Sequence, residues 1–586
     1  FFYGLGTNRN MFRRVLLRCS KAPFSPRLHS RGVVQLSAAR ANEYANSWTA
    51  FYFSAAVIAT ASLVQNTECD ANIENKELES EKGDVISNWS ATHTCSPTTQ
   101  YAPKSAQEVC RVLERHHAMK AKVRPIGTAL SPNGIGMHSG DVISVAALDY
   151  VEVDKDRQLV TVGAGATVAH VLAELGKYGL TLENFSSIQE QQIGGWTQVA
   201  AHGTGCTLPT VEEMVVRMKL ATPTEGLLTL SETSNPRLFR MAKTGLGSLG
   251  VVTELTLRCI PKHDLMEYTF TLPSGAQLSA RHYDRLQRFR HVRYMWFPYT
   301  HKTCVVVSNP IAARESRLDD ESAKMQKELG IGKPPVKIVN RPAAALCELL
   351  LSLHPELDKK TVQAMTFAQL RDQLLGVAPL DTKLVKKINA AEAEFWERSE
   401  GYRAEDSTNV LGFDCGGAQW VLEVCFPIGS LEQRSERDLE FVRKLKQLIE
   451  DNELPAPCPI EQRWTARSTS PMSPAYSSNP DDVFSWVGVI MYLPPTQSES
   501  QRQEIAERFR EYVRLMRPLC EEYSARVHWA KIEPPARDTA MQKEAFNGEV
   551  DALRQQIQKL YPAVEEFNQY RDALDPHRIL SNELIE

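Results

Sequence analysis

No two cysteines in this chain are spaced as Cys-x-x-Cys, although it holds 12 of them. Zinc ribbons and thioredoxin-like redox centres depend on that spacing, so scattered reduced thiols are expected instead. A surplus of positive charge is also missing: 67 Lys and Arg face 71 Asp and Glu, a formal net charge of −4. Nucleic-acid binding draws on a basic face, and no such partner is expected. None of the 14 histidines, His116-His117 included, falls into a metal-ligand pattern, so no metal is expected either. No internal repeat is visible. What is present, 42% hydrophobic and 24% charged residues over 586 positions, is the composition of a folded enzyme of two or three domains with a tail.

Acid is absent from residues 1–42, while Arg13, Arg14, Arg18, Lys21, Arg27, Arg31 and Arg40 are spread among serines there. That composition predicts a mitochondrial transit segment over 1–42. The following run from Trp48 to Val64 carries no charge. At roughly 25 Å as a helix it is just long enough to cross a bilayer. Ala, Ser and Thr dilute it, and the stretch 43–67 reads equally as one transmembrane helix and as a sorting signal that is cleaved away. If it is kept, the basic residues before it and Glu68 and Asp70 after it put the amino end in the matrix. The main body then faces the intermembrane space from the inner membrane. Residues 68–86, rich in Glu and Lys, read as a linker.

From 87 to 261 the pattern is α+β. Ser105 and Glu108 predict a capping box ahead of Val109, Val112 and Leu113 at helical spacing. Strands are expected over Lys122–Ile126, around Val151 and Val153, and over Leu159–Val162. Thr167 is placed to cap a helix lined by Val168, Val171, Leu172 and Leu175, with Gly179 ending it. A second domain, 262–520, is expected to be sheet with flanking helices. Its strands are predicted over Trp420–Phe426, Glu461–Thr465 and Trp486–Leu493. Its helices are predicted through Arg314–Glu400, Leu431–Glu450 and Ser500–Leu519.

Gly245-Leu-Gly-Ser-Leu-Gly250 matches the dinucleotide fingerprint GxGxxG by letters. That loop must follow a strand and open a helix, so that the helix amino end meets the pyrophosphate. Here Pro236–Lys243 reads as helix and Val251, Val252, Leu255 and Leu257 as strand. The reversed order argues against a nicotinamide site.

Three other segments carry more weight: Arg124-Pro-Ile-Gly127-Thr-Ala-Leu-Ser131-Pro-Asn-Gly134, Gln191-Gln-Ile-Gly194-Gly195, and Ala201-His202-Gly203-Thr204-Gly205. Two of them pair glycines with hydroxyl side chains, which suits anion binding by exposed backbone N–H groups. The residues alone reach a phosphate-bearing cofactor in the first domain and stop there.

In order, these segments resemble the FAD domain of the vanillyl-alcohol oxidase and p-cresol methylhydroxylase superfamily. Together with Gly179–Ile188, Gly245–Pro261, Leu411–Gly417, Glu461-Gln-Arg463-Trp-Thr-Ala466 and His528-Trp-Ala-Lys531, they are similar to its galactonolactone dehydrogenase branch across roughly residues 100–582. The resemblance implies a two-domain α+β flavoprotein whose residues 521–586 return to the FAD domain. It assigns FAD contacts to Arg124, Pro125, Ile126, Gly127, Thr128, Ala129, Leu130, Ser131, Ser186, Ser187, Gly194, Gly195, His202, Gly203, Thr204, Gly205, Gly250, Val251 and Val252. Leu130 stands where many relatives carry a flavin-bonded histidine, which implies non-covalent FAD. Ser186 occupies the position thought to gate oxygen, where dehydrogenases tend to have Ala and oxidases Gly.

Glu461, Arg463, Lys531 and Ser187 are the implied catalytic residues. Taken alone, Glu461 and Arg463 share one face of a strand, and a plain salt bridge is the favoured account of them; the resemblance makes them the substrate-site candidates. Cys415 matches a cysteine near the substrate cleft whose oxidation would inhibit; a buried inert thiol reads as well. The implied reaction is hydride transfer from carbon 2 of L-galactono-1,4-lactone, or a related aldonolactone, to flavin N5, giving ascorbate. The implied electron acceptor is cytochrome c. Two rivals stand beside it: an oxygen-using aldonolactone oxidase, and a structural or assembly subunit of respiratory complex I.

Overall fold

The computed structural model describes residues 80–586, apart from 312–322, 325, 328–335, 339–342, 414–415, 434 and 534–542. The transit segment, the apolar run at 43–67, most of the linker and Cys415 therefore lie outside the described residues. Among the described residues no helix is long and apolar enough to cross a membrane.

Local signals in the first part act as their chemistry dictates, with one change. Ser105 caps the helix Ala106–Met119 by accepting from Glu108 N at 3.2 Å. The Glu108 carboxylate reaches Lys104 N at 2.7 Å instead of the cap's own N–H, so only half of the capping box forms. Thr167 caps Val168–Gly176, and Gly179, at φ +72°, takes the left-handed turn that ends this stretch. The helix Pro236–Ala242 precedes the Gly245–Gly250 turn and the strand Val251–Arg258 follows it, the reverse of a dinucleotide site.

Two sheets build this first part. One has four strands ordered Ser80–Lys82, Thr99–Tyr101, Asp141–Ser144, Val123–Ile126, the last two pairs parallel. The other has five, ordered Gly226–Ser231, Val215–Thr222, Val251–Arg258, Leu159–Gly163, Val151–Asp154, all antiparallel. One apolar core joins both, and residues far downstream complete it: Trp529, Tyr561, Phe567, Ile579 and Leu580 are buried in it.

An eight-stranded antiparallel sheet follows. Its order is Gly401–Asp406, Asp264–Pro273, Lys302–Ile311, His291–Trp296, Ile460–Ala466, Val483–Tyr492, Gln419–Gly429, Arg526–Val527. Strand alternation gives it two unlike faces. Tyr294, Trp296, Trp464, Val424 and Val487 pack in one core with Leu439, Phe441 and Leu445 of the helix Arg437–Asp451 and Phe509, Tyr512 and Met516 of Glu499–Glu522. The first of these helices starts six residues later than the apolar spacing suggests. Residues before it form a turn in which Ser435 N donates to Tyr283 Oη at 2.9 Å. The opposite face carries the alternate residues, which include most of the sheet's charge.

The glycine segment is laced directly to this second sheet. Gly205 N donates to Trp464 O at 2.6 Å, Ala466 N to Leu208 O at 2.9 Å, and His291 Nδ1 lies 2.8 Å from Thr204 O. Just beyond, Ser468 donates to the buried Glu212 carboxylate and Thr469 to the partly buried Glu213, at 2.8 Å each.

Candidate active site

The cleft between the glycine segments and the charged face is lined from one side by Phe185, Ser187, Gly203 and Thr204, and from the other by Glu267, His291, Arg293, Ser308 and Arg463. Val410, Leu411 and Phe413 close one end. It encloses about 430 Å³ of non-protein space, part of it open to solvent.

Strand register arranges the floor in rows. Glu461, Gly488 and Glu423 lie side by side on neighbouring strands, and Arg293 lies directly opposite Arg463. Arg463 Nη2 is 2.9 Å from Glu461 Oε2 and 3.3 Å from Glu423 Oε1. Arg293 Nη1 is 3.5 Å from Glu461 Oε1, with its guanidinium 4.0 Å above the Phe413 ring. Lys531 Nζ hydrogen-bonds Glu423 Oε2. On the same oxygen, His202 Nε2 sits at 3.1 Å, its ring stacked on Trp486 with centroids 3.9 Å apart.

Electrostatics follow from this packing. Burial alone would raise the Glu423 carboxyl, but Lys531, His202 and Arg463 hold it well below the usual carboxylate range. Burial pushes His202 down, and burial followed by Lys531 pushes His528 well down, so both imidazoles are neutral. Three cations, Arg293, Arg463 and Lys531, thus face two carboxylates, leaving one net positive charge in a partly enclosed site. His202, Glu423 and His528 bring ligand-type atoms within 4.8 Å of one another. Two cationic side chains already on Glu423 disfavour a metal ion there.

Comparison with known proteins identifies this architecture. Residues 255–586 match the family described as D-arabinono-1,4-lactone oxidase, and residues 97–231 match an FAD binding domain. The mitochondrial L-galactono-1,4-lactone dehydrogenase of Arabidopsis thaliana is 43% identical over 514 residues, covering 86% of this chain and 80% of that one. The chain belongs to the aldonolactone oxidoreductase family. It is an FAD-dependent oxidoreductase of the galactonolactone dehydrogenase type. The L-gulonolactone oxidase of Bos taurus is similar at 25% identity, over 86% of this chain and 98% of that one. A cholesterol oxidase of Brevibacterium sterolicum shares the fold, with a TM-score of 0.66 at 15% identity, covering 87% of this chain and 97% of that one.

The segments expected to hold FAD come together. Thr128 Oγ1 donates to Glu190 O at 3.1 Å, and a Cβ on Gly127 would lie 3.0 Å from Gln192 Oε1. Gly203 lies so close to Asn184 and Phe185 that a Cβ there would come within 2.0 Å of Asn184 Oδ1. Among the described residues, Asn184 Nδ2 and Gln192 Oε1 are buried without a hydrogen-bond partner. Gly195 is exposed, and a Cβ on it would meet nothing within 4 Å. Bare backbone beside unsatisfied buried amides fits a polar, phosphate-bearing cofactor. Gly127–Ser131, Gly194, Gly195 and Gly203–Gly205 are the residues that would hold it.

Several expected contacts have other work. The Arg124 side chain is buried and donates to the carbonyls of Ile135, Leu246, Gly247 and Leu580, clamping the Gly245–Gly250 turn to a late segment of the chain. Burial, with the Arg571 guanidinium nearby, lowers its pKa to about 9. Pro125 and Ile126 continue the same strand. Gly250, Val251 and Val252 are buried at the start of a strand, where a Cβ on Gly250 would sit 2.6 Å from Ala221 O. His202 turns toward Glu423 on the second sheet. Ser186 Oγ bonds Trp196 Nε1 at 2.9 Å and the Gln191 side chain, while Ser187 faces the cleft.

Glu423 and Arg293 were not anticipated. Glu423 is the one acid in Trp420-Val-Leu-Glu-Val-Cys-Phe426, and a lone carboxylate in a buried apolar strand was the available signal.

Proposed function

We propose that this enzyme oxidises L-galactono-1,4-lactone, or a closely related aldonolactone, at carbon 2, yielding ascorbate or an analogue. The observation that carries the reading is the excess of cationic over anionic side chains around Glu461 and Arg463, on the cleft floor opposite the glycine segments. When bound, FAD supplies the acceptor for the hydride leaving carbon 2. The Arg463 guanidinium offers a planar fork for the lactone oxygens. Glu461 accepts a hydrogen bond from the 2-hydroxyl and so orients the carbon–hydrogen bond. Lys531 and Arg293 favour negative charge as it develops. Ser187 lies on the facing wall, and Phe185, Val410, Leu411 and Phe413 line the cleft with hydrocarbon that limits the access of water.

FAD is held without a covalent bond, because Leu130 offers only hydrocarbon where a nucleophilic ring would be needed. The dehydrogenase reading is preferred to an oxygen-using oxidase: relatives called dehydrogenases reach 43% identity, those called oxidases 25%. Ser186, tied to Trp196 and Gln191, still keeps a side chain at the position of interest. Cytochrome c as acceptor, the inner mitochondrial membrane as location and an association with complex I complete the proposal. Support comes from the acid-free basic segment 1–42 and the word mitochondrial in the relatives' names.

The test is anaerobic. Purified protein should be yellow, release its flavin on acid precipitation, and bleach when galactono-1,4-lactone is added. A flavin that stays oxidised with every aldonolactone rejects the substrate assignment.

A further inference from the structure

The charged rows at Arg463 occupy only part of the cleft floor. A separate polar row lies on the neighbouring strands: Glu267, Ser308 and His291 are direct register partners across three strands and all line the cleft. Adjacent strands lie about 4.8 Å apart, so this row spans about 10 Å. It is displaced by two residues, about 7 Å, from the row holding Arg293 and Arg463. All three side chains are buried, at 5%, 3% and 3% exposure. Burying that much polarity on a cleft wall costs stability unless something there satisfies it.

His291 gives the row its chemical sense. Nδ1 lies 2.8 Å from Thr204 O, and a carbonyl oxygen only accepts, so the ring proton sits on Nδ1. Burial pushes the imidazole down to about 3, and the ring is neutral. Nε2 therefore keeps its lone pair, and among the described residues it has no hydrogen-bond partner. A buried acceptor with a fixed tautomer is satisfied only by a donor. Beside it, Ser308 can give or take a hydrogen bond. Glu267, whose Oε1 accepts from Arg403 Nε at 2.7 Å, adds acceptor character. Anionic or purely apolar groups are disfavoured on such a wall; a neutral hydroxyl donor suits it.

We infer that Glu267, Ser308 and His291 form a second subsite that binds the exocyclic hydroxyl groups of the lactone while Arg463 and Glu461 hold its ring. This deepens the function proposed above and rests on it. A ring seated at Arg463 lies one row away, and the two-carbon diol arm of a hexonolactone bridges that distance. The subsite makes His291 a specificity-determining residue, one that separates lactones by their arms and leaves the chemistry at carbon 2 to other groups.

The experiment compares kcat/KM for galactono-1,4-lactone and its 6-deoxy analogue in the holoenzyme, His291→Leu and Ser308→Ala, with flavin content and Tm recorded for each. The unaltered enzyme should prefer the hydroxylated lactone by about 10- to 100-fold, the range of a buried hydrogen bond lost. In His291→Leu that preference should collapse toward one, mostly through KM for the hydroxylated lactone. Ser308→Ala, a small change should His291→Leu fail to hold flavin, should reduce the preference in the same direction. An equal loss on both lactones, or an undiminished preference in both variants, overturns the subsite. If the unaltered enzyme is reduced by neither lactone, the proposed reaction itself has failed, and that outcome is seen before any variant is made.

Discussion

Arg463 and Glu423 meet at 3.3 Å although a whole strand separates theirs: Arg463 pairs with Trp486, and its side chain reaches across beside Gly488, the register partner of both Glu461 and Glu423. Any side chain at 488 would stand between Glu461 and Glu423. Its absence lets one guanidinium bind both carboxylates, and lets Glu423 act as the shared counter-charge of Arg463 and Lys531.

Replacing that counter-charge should be costly. Glu423→Gln leaves two partly buried cations sharing one fewer carboxylate, and removes the buried partner of both, a loss of about 3 kcal/mol in unfolding free energy. The pH dependence has a definite sign. Glu423 ionises well below its unfolded value of 4.5, so its contribution is complete above pH 4.5 and drains away as pH falls below it. Thermal melts from pH 3 to 7 should show a steeper acid decline in the unaltered protein than in Glu423→Gln.

Arg463→Ala should remove substrate grip and charge stabilisation together. A loss of about 10²-fold in kcat/KM is expected for one charge-assisted contact in a partly enclosed site. Flavin content should be unchanged, since the Arg463 guanidinium is held by Glu461 and Glu423 on the eight-stranded sheet. Stopped-flow reduction with lactone, beside the flavin absorbance per protein, separates the two effects.

Glu212 predicts the opposite pH trend. Burial, with Glu213 beside it, raises its carboxyl to about 7. The folded protein then keeps a proton that the unfolded chain has already released, so Glu212 subtracts stability as pH climbs from 4.5 to 7. Glu212→Gln keeps an acceptor for Thr210 and Ser468 and removes the titration. Its Tm relative to the unaltered protein should rise between pH 5 and pH 8; a constant difference would contradict the assignment.

The cofactor cradle can be probed with two glycines. Gly203→Ala would drive a methyl into Asn184 and Phe185, so misfolding and flavin loss should occur together. Gly195→Ala meets no protein atom within 4 Å. Weaker FAD binding at unchanged apoprotein Tm is therefore expected from it, as measured by flavin titration. Tight binding in Gly195→Ala would move the cofactor away from that segment.

Which parts of this were visible in the residues follows from range. Thr167, Gly179 and the Glu461–Arg463 pair were legible because each depends on neighbours within a few positions. Glu108 was half legible: its backbone N–H meets Ser105 as the pattern says, while its carboxylate chose a competing N–H one residue away. The Arg124 side chain was not legible because a glycine-rich neighbourhood says nothing about where a long side chain goes, and it goes to carbonyls on other segments. Glu423, Arg293 and His291 acquire their roles only from strand register. Register between strands far apart in sequence is settled by packing of the whole sheet and has no local signature.

Arg124 also constrains the order of events at synthesis. Its Nη1 donates to the carbonyl of Leu580, 456 positions later, and Val123 N donates to Ile579 O. Asn582 closes the same region through the carbonyls of Gly134, Ile135 and Met137. A nascent chain that has reached residue 300 holds every glycine loop yet lacks the strap that fastens them, so a mature flavin site must await residues 579–582.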